Sequence, residues 1–277
     1  MQTKIYISDL THTTTTQLSS DVVPLGIGYV ASYAKKLFPN EFEATLFKYP
    51  NDVLDAIDGS TPDIVSCSYY VWNKRLSLFV CEYAKKKDPD TITVLGGTYI
   101  SNDNREKFLK DNPCIDFVVL FDGEIGYSNI LERFYECDGD LKKMKERPIN
   151  GVMFYDSDNE KYVIGEATPR FSDLDEIPSP FLTGILDKFL CDFRLRPMLQ
   201  STRGCPFSCK YCWAGNKKNS RIGVFSNDRI TAELEYIAKK VKGKNISQLV
   251  FADSNFGMYA KDIEIAEKIS ELQEKYN

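Results

Sequence analysis

Apolar positions follow two alternating rhythms along the first half of the chain. Short apolar, β-branched runs at residues 4–8, 44–47, 64–68, 91–95 and 117–120 predict strands. Between them the spacing changes to that of a helix. Ile27, Val30, Ala31, Ala34 and Leu37 share one face, and Leu76, Phe79, Val80 and Tyr83 another. Strands alternating with helices imply βαβ units, and hence a parallel sheet covered on both faces. Five such strands predict a doubly wound α/β domain over residues 1–137. In sheets of this kind ligands bind outside the carboxyl ends of the strands, here residues 9–12, 66–70, 96–98 and 121–124.

The pattern then changes. A polar stretch at 138–147 precedes two short apolar runs, 151–155 and 161–164, around the acidic turn Asp156–Ser157–Asp158–Asn159–Glu160, which predicts a hairpin. The turn lacks the glycine and distal glutamate of a calcium loop. Residues 171–181, with Pro178 and Pro180, read as connecting chain, so 138–195 forms a hairpin-containing linker. A second βα series occupies 196–277. It has strands at 197–201 and 248–252, a helix with Ile230, Leu234, Ile237 and Val241 on one face, and a last helix with Ile263, Ala266, Ile269 and Leu272.

Composition narrows the function. With 40 acidic and 35 basic residues among 277 the net charge is −5, which gives no basic footprint for nucleic acid. The most apolar stretch, 22–34, is interrupted by Pro24, Gly26 and Gly28 and falls short of the roughly 18 residues that read as a membrane span. The first residues read as a strand rather than a signal peptide, so a reduced cytoplasmic protein is expected. Of eight cysteines, five are scattered and three, Cys205, Cys209 and Cys212, share one loop. Gly26–Ile27–Gly28–Tyr29–Val30–Ala31 fits a dinucleotide fingerprint only in letters, because no strand directly precedes it. Close helix packing explains those small residues better.

The strongest signal is Arg203–Gly204–Cys205–Pro206–Phe207–Ser208–Cys209–Lys210–Tyr211–Cys212–Trp213. Three thiolates at this spacing suit an iron–sulfur cluster with one open iron, whereas a structural zinc site wants a fourth ligand. The one histidine, His12, is far away in sequence, and Cys191 is the nearest other thiol.

This loop resembles that of the radical S-adenosylmethionine (SAM) enzymes, with Tyr211 as the aromatic before the last cysteine. The resemblance implies that Cys205, Cys209 and Cys212 ligate a [4Fe–4S] cluster whose open iron takes SAM. Reductive cleavage then yields a 5′-deoxyadenosyl radical, with electrons from a flavodoxin or ferredoxin. Upstream, Pro24–Leu25–Gly26–Ile27–Gly28–Tyr29, Leu95–Gly96–Gly97–Thr98–Tyr99 and Asp122–Gly123–Glu124–Ile125–Gly126 resemble the subgroup with an N-terminal cobalamin-binding-type, flavodoxin-like domain. So do the linker Asp173–Leu174–Asp175–Glu176–Ile177–Pro178–Ser179–Pro180 and the strand end Phe251–Ala252–Asp253–Ser254–Asn255–Phe256. Ser66, Ser68, Gly96, Gly97, Gly123 and Glu124 are the implied cobalamin-side residues, and Tyr211, Asp253 and Asn255 the SAM-side ones. Residues 68–73 add aromatics that either stack on a ring system or pack in the fold. The cobalt-ligand motif D-x-H-x-x-G is absent, since His12 falls one position late, which leaves cobalamin binding without a protein nitrogen.

The implied fold is a cobalamin-binding-type domain followed by an incomplete (β/α) radical SAM barrel. Two strands follow the linker where such a core has about six units, so the rest either comes from another chain or, as the favoured expectation, is missing from a truncated product. The implied reaction is methyl or other group transfer to an unactivated carbon of an unknown substrate. The alternatives are C–H abstraction or rearrangement without methyl transfer, and a non-catalytic iron–sulfur or zinc module.

Overall fold

The computed structural model describes residues 2–97, 104–215, 220–244 and 248–276. They fall into two compact units, residues 1–20 with 33–168, and residues 21–32 with 169–277.

In the first unit the expected strands form: β1 (Thr3–Ser8), β2 (Phe42–Phe47), β3 (Ile64–Ser68), β4 (Ile92–Gly96) and β5 (Phe117–Val119). They are parallel neighbours in the order β2-β1-β3-β4-β5, the flavodoxin-like order whose crevice opens where strand direction of winding switches, between β1 and β3. All five residues of β3 are buried, as a central strand covered on both faces requires. Helices α1 (Leu25–Leu37), α2 (Pro50–Gly59), α3 (Lys74–Lys87), α4 (Arg105–Asp111) and α5 (Gly123–Glu136) make the connections. Val53 and Ile57 of α2, and Val80, Cys81 and Ala84 of α3, join Val65, Cys67, Leu95 and Val118 in one core. Ser66 points to the opposite face by strand alternation and meets Tyr127 of α5 there.

Two features of this unit differ from the sequence pattern. The hairpin β6 (Val152–Asp156) and β7 (Lys161–Ile164), expected within a linker, extends the sheet to seven strands. β6 pairs antiparallel with β5, matching Val118 with Met153 and Val119 with Val152, and so covers an apolar strand edge. A short helix, α6 (Leu141–Lys145), precedes it. The buried face of α3 is also rotated. Phe79 is 51% exposed while Ser77 is fully buried, because its hydroxyl donates to the carbonyls of Ser68 (2.7 Å) and Asn73 (3.1 Å). Thr98 and Tyr99 of the strand-four turn lie outside the described residues.

The second unit includes the start of α1. Gly28 permits a close approach, since a Cβ there would lie 3.0 Å from Pro180 Cβ and 3.2 Å from Leu186, whereas Gly26 has open space. Helix packing therefore explains Gly28, though against residues 180 and 186 rather than a sheet. The connecting residues Leu174, Ile177 and Phe181 are fully buried. After α7 (Asp187–Leu190), β8 (Met198–Leu199) runs parallel to β11 (Val250–Phe251), and β9 (Thr202–Arg203) pairs antiparallel with β10 (Gly223–Val224), strands of two residues too short to form an apolar run. α8 (Asn227–Val241) is capped by the Ser226 hydroxyl and buries Ile230, Leu234 and Ile237, and α9 (Ala260–Tyr276) buries Ile265 and Leu272. No helix among the described residues is long and apolar enough to cross a membrane.

Candidate functional site

The carboxyl ends of β1, β2 and β3 meet in one polar network. Asp9 accepts hydrogen bonds on Oδ1 from Ser68 Oγ (2.6 Å) and Asn73 Nδ2 (3.5 Å), and its Oδ2 is 2.9 Å from the ammonium of Lys48. Lys48, the residue after β2, is 0% exposed, and its Nζ also donates to Ser20 Oγ (3.2 Å). Asn73 Nδ2 donates to Ser68 Oγ (2.8 Å), while Asn73 Oδ1 accepts from the Tyr70 amide (2.8 Å). Ser68 therefore ends β3 within this network. Asp9 belongs to the expected strand end 9–12 and Asn73 to the 68–73 segment, but Lys48 is new, because nothing local in the sequence marks a lysine after an apolar run as buried.

Around this network the surface is apolar. Tyr70 and Trp72 stack with centroids 4.7 Å apart and planes 13° apart, and Trp72 remains 40% exposed beside the exposed Val71. Phe121, after β5, is also exposed and holds φ = +59°, an uncommon conformation for a bulky residue. Gly97 has φ = +119°, and a Cβ there would lie 2.8 Å from the Tyr69 carbonyl oxygen, so only glycine fits against the aromatic loop. Gly96 leaves ordinary space, its nearest contact being Val119 at 3.8 Å, and its carbonyl accepts from the Tyr69 amide at 2.5 Å. Gly123 opens α5, and Glu124, buried in its first turn, complements the positive end of the helix dipole. Ser66 sits deeper, bonded to the Tyr127 hydroxyl at 3.0 Å, and burial drives the Tyr127 phenol well above its ordinary pKa. His12 is exposed; Thr11, at the histidine position of the cobalt-ligand motif, is buried with its hydroxyl on Ser19 Oγ (3.2 Å) and the Ser20 amide (3.0 Å).

In the second unit the cysteine loop hangs from β9. Cys205 is buried and its sulfur accepts from Asn255 Nδ2 at 3.1 Å, while Cys209 and Cys212 are exposed. Gly204, before Cys205, has φ = +113°. A turn links the other two, with the Cys212 amide donating to the Cys209 carbonyl (3.1 Å). Gly215 closes the loop so tightly that a Cβ would fall 2.8 Å from the Cys209 amide nitrogen. Tyr211 is 93% exposed. All eight cysteines are free thiols. Among the described residues no three His, Cys, Asp or Glu side chains are gathered around a common metal position.

Asp253 does something the sequence did not reveal. Its Oδ1 accepts from the Ser201 amide, and its Oδ2 from Ser201 Oγ and the Thr202 amide, each at 2.7 Å, and from Thr202 Oγ1 at 2.5 Å. It clamps the chain just before Cys205. Lys261 donates to the Ser201 carbonyl (3.0 Å), and burial lowers its ammonium pKa.

Residues 11–131 match the B12 binding domain family. The chain is 26% identical over 267 residues to the cobalamin-dependent radical SAM methyltransferase TokK of Streptomyces tokunonensis, covering 91% of this chain and 36% of that protein. It is 27% identical over 265 residues to the 2-(S-pantetheinyl)-carbapenam-3-carboxylate methyltransferase of Streptantibioticus cattleyicolor, with the same two coverages. The chain thus spans about a third of the length of these relatives. In fold it resembles the cobalamin-dependent SAM radical enzyme OxsB with aqua-cobalamin and SAM bound (TM-score 0.72, 19% identity, 99% of this chain and 37% of that one). It also resembles the radical SAM methyltransferase TsrM from Kitasatospora setae with cobalamin and a [4Fe–4S] cluster bound (TM-score 0.60, 13% identity, 99% and 52%). Residues 11–131 are thus similar to B12 binding domains, in a chain similar along most of its length to methyltransferases that include a cobalamin-dependent radical SAM enzyme.

Proposed function

We propose that this chain supplies the cobalamin-binding domain and the cluster-binding start of the radical SAM barrel of a cytosolic enzyme. That enzyme transfers a methyl or related group to an unactivated carbon. The observation that carries the reading is the presence, in one chain, of a B12-binding domain and a Cys-x3-Cys-x2-Cys loop.

Cobalamin fits the first unit. The carboxyl edge of its sheet exposes Val71, Trp72 and Phe121, apolar surface suited to a broad macrocycle, beside the polar groups of Ser68 and Asp9. Gly97 lets the backbone approach closely, and Gly123 and Glu124 form the turn after β5. Ser66 supports this surface from behind through Tyr127. Thr11 is buried at the histidine position of the cobalt-ligand motif and His12 is exposed, so Ser68, Asp9, Gly97 and the exposed aromatics are the groups that would hold cobalamin here.

The donor set of the second unit fits a [4Fe–4S] cluster. Three free thiols on one loop match a cluster with an open iron, and no fourth protein ligand joins them among the described residues to complete a zinc site. Cys205, Cys209 and Cys212 are the ligands. Asn255 donates to the Cys205 sulfur, and such hydrogen bonds raise cluster potential. Asp253 fixes the strand from which Cys205 hangs, and Tyr211 lies on the open side of the loop. When bound, cluster and SAM supply a 5′-deoxyadenosyl radical and cobalamin a methyl relay.

The test is anaerobic reconstitution with iron, sulfide and hydroxocobalamin, followed by methyl-labelled SAM and a flavodoxin or ferredoxin reductant. Deoxyadenosine formation with label recovered in the cobalamin fraction is expected. Deoxyadenosine without label transfer refutes methylation and favours C–H abstraction. A zinc-binding module built on the same thiols is the competing outcome. Zinc at about one equivalent with no visible charge-transfer absorption would establish it against the cluster reading.

A further inference from the structure

Lys48 is the most buried cation in the first unit whose role the proposed chemistry leaves unassigned. It stands one residue beyond β2, fully enclosed, and its ammonium meets the Asp9 carboxylate at 2.9 Å. Its carbonyl accepts from the Thr11 amide (2.9 Å), and the carbonyl of Phe47 accepts from the Asp9 amide (3.0 Å), so backbone and side chain tie the ends of β1 and β2 together. A buried charge of this kind is costly unless paired and hydrogen-bonded. Here it is paired, and the pairing extends outward. Asp9 has its side chain 14% exposed and receives Ser68 Oγ; Ser68 Oγ receives Asn73 Nδ2; and Asn73 Oδ1 receives the Tyr70 amide. Ser77 anchors the same segment from α3 through the Ser68 and Asn73 carbonyls. The chain of contacts thus starts at a buried ammonium and ends at the backbone of the loop that presents the Tyr70–Trp72 pair. Among these contacts no second cation would balance Asp9 if the ammonium were lost, since its other donors are a neutral hydroxyl and a neutral amide.

We propose that Lys48 is a positioning residue for the cobalamin-facing surface, fixing Asp9 and, through Ser68 and Asn73, the Tyr70–Trp72 loop. The inference rests on the cobalamin reading above. Lys48 touches neither cofactor nor substrate; it acts by leaving the loop one conformation. Its loss strands a carboxylate at the crevice, frees Ser68 and Asn73 to re-pair, and lowers affinity by releasing the aromatic pair.

The full chain is titrated with hydroxocobalamin, and Trp72 emission is followed in a Trp213→Phe background, since these are the two tryptophans. Lys48→Met is expected to weaken hydroxocobalamin binding about tenfold, the size of one strong coupling between contacting groups, and to shift Trp72 emission to the red. Asp9→Asn/Lys48→Met, which removes both charges together, is expected to recover most of the affinity. A purely packing role for the lysine stem would predict no such recovery. Unchanged affinity and emission in Lys48→Met overturn the proposal, as does a double variant no better than the single one. If Lys48→Met does not fold, Asn73→Ala reads the same relay with the ion pair intact, and unchanged Trp72 emission there overturns it equally. Failure of the unsubstituted chain to bind hydroxocobalamin instead refutes the cobalamin reading.

Discussion

Removing the Asp253 carboxylate should loosen the strand that carries the first cysteine. Two backbone amides and two hydroxyls, from the buried Ser201 and Thr202, converge on it. In Asp253→Ala the hydroxyls can rotate toward other partners, but the amides of Ser201 and Thr202 cannot. A buried donor left without an acceptor costs about 1–3 kcal/mol. Asp253 is only half-buried, so water recovers part of this, and a loss of about 2–4 kcal/mol follows for the two amides together. Asp253→Asn keeps one oxygen, which serves the three donors now on Oδ2, and turns its amide nitrogen toward the Ser201 N–H; about 1–2 kcal/mol is expected. Hydrogen–deuterium exchange read on peptides spanning residues 198–205 resolves the difference. Local opening favoured by about 2–4 kcal/mol speeds exchange roughly 30- to 700-fold in Asp253→Ala, with Asp253→Asn between it and the native chain. Unchanged exchange at Ser201 and Thr202 in Asp253→Ala would refute the clamp and return Asp253 to the role of a ligand-facing residue.

Other perturbations separate the parts of the molecule. Gly97→Ala forces a side chain onto the Tyr69 backbone at φ = +119°; a loss of about 2–3 kcal/mol in urea unfolding and weaker hydroxocobalamin binding are expected, and an unchanged urea midpoint would refute the close approach. Tyr127→Phe leaves the Ser66 hydroxyl without its partner inside the sheet–helix interface and should cost about 1–2 kcal/mol, measured by thermal unfolding. Burial raises the Glu233 pKa above its ordinary value despite Arg229 and Ser179 beside it. The folded chain therefore binds this proton more tightly than the unfolded chain. Stability from this group falls as pH rises from the ordinary glutamate pKa through the raised one, and is constant above it. Urea midpoints across that window should show this decline, and Glu233→Gln should flatten it; an identical slope in the variant would refute the assignment. Cys209→Ala should lower iron after reconstitution well below the roughly four atoms of a complete cluster, whereas full retention would refute the ligand set.

Much of the fold could be read along the chain because its determinants are local. The five parallel strands follow from apolar runs of strand length separated by helical spacing, and the proposed cluster reading rests on the spacing of Cys205, Cys209 and Cys212. The glycine of Gly97 was legible as a turn, though its reason, the Tyr69 backbone pressing on it, was not. Where the reading of elements slipped, a polar residue had found a partner across the fold. Ser77 rather than Phe79 faces the core of α3 because two carbonyls, one of them on β3, accept its hydroxyl. The 152–164 hairpin joins the sheet because the open edge of β5 needs a strand.

The sequence by itself determined the α/β alternation, the glycine-bearing turns after β4 and β5 and the three-cysteine loop, since each depends on residues within a few positions of one another. Tertiary structure alone decided which polar groups act together. Lys48 and Asp9 are 39 residues apart, Asp253 and Ser201 are 52 apart, and Ser66 and Tyr127 are 61 apart. No periodicity encodes such pairs. They arise because parallel strands bring distant chain segments side by side at one edge, where burial makes every unpaired charge or hydroxyl costly and so selects its partner.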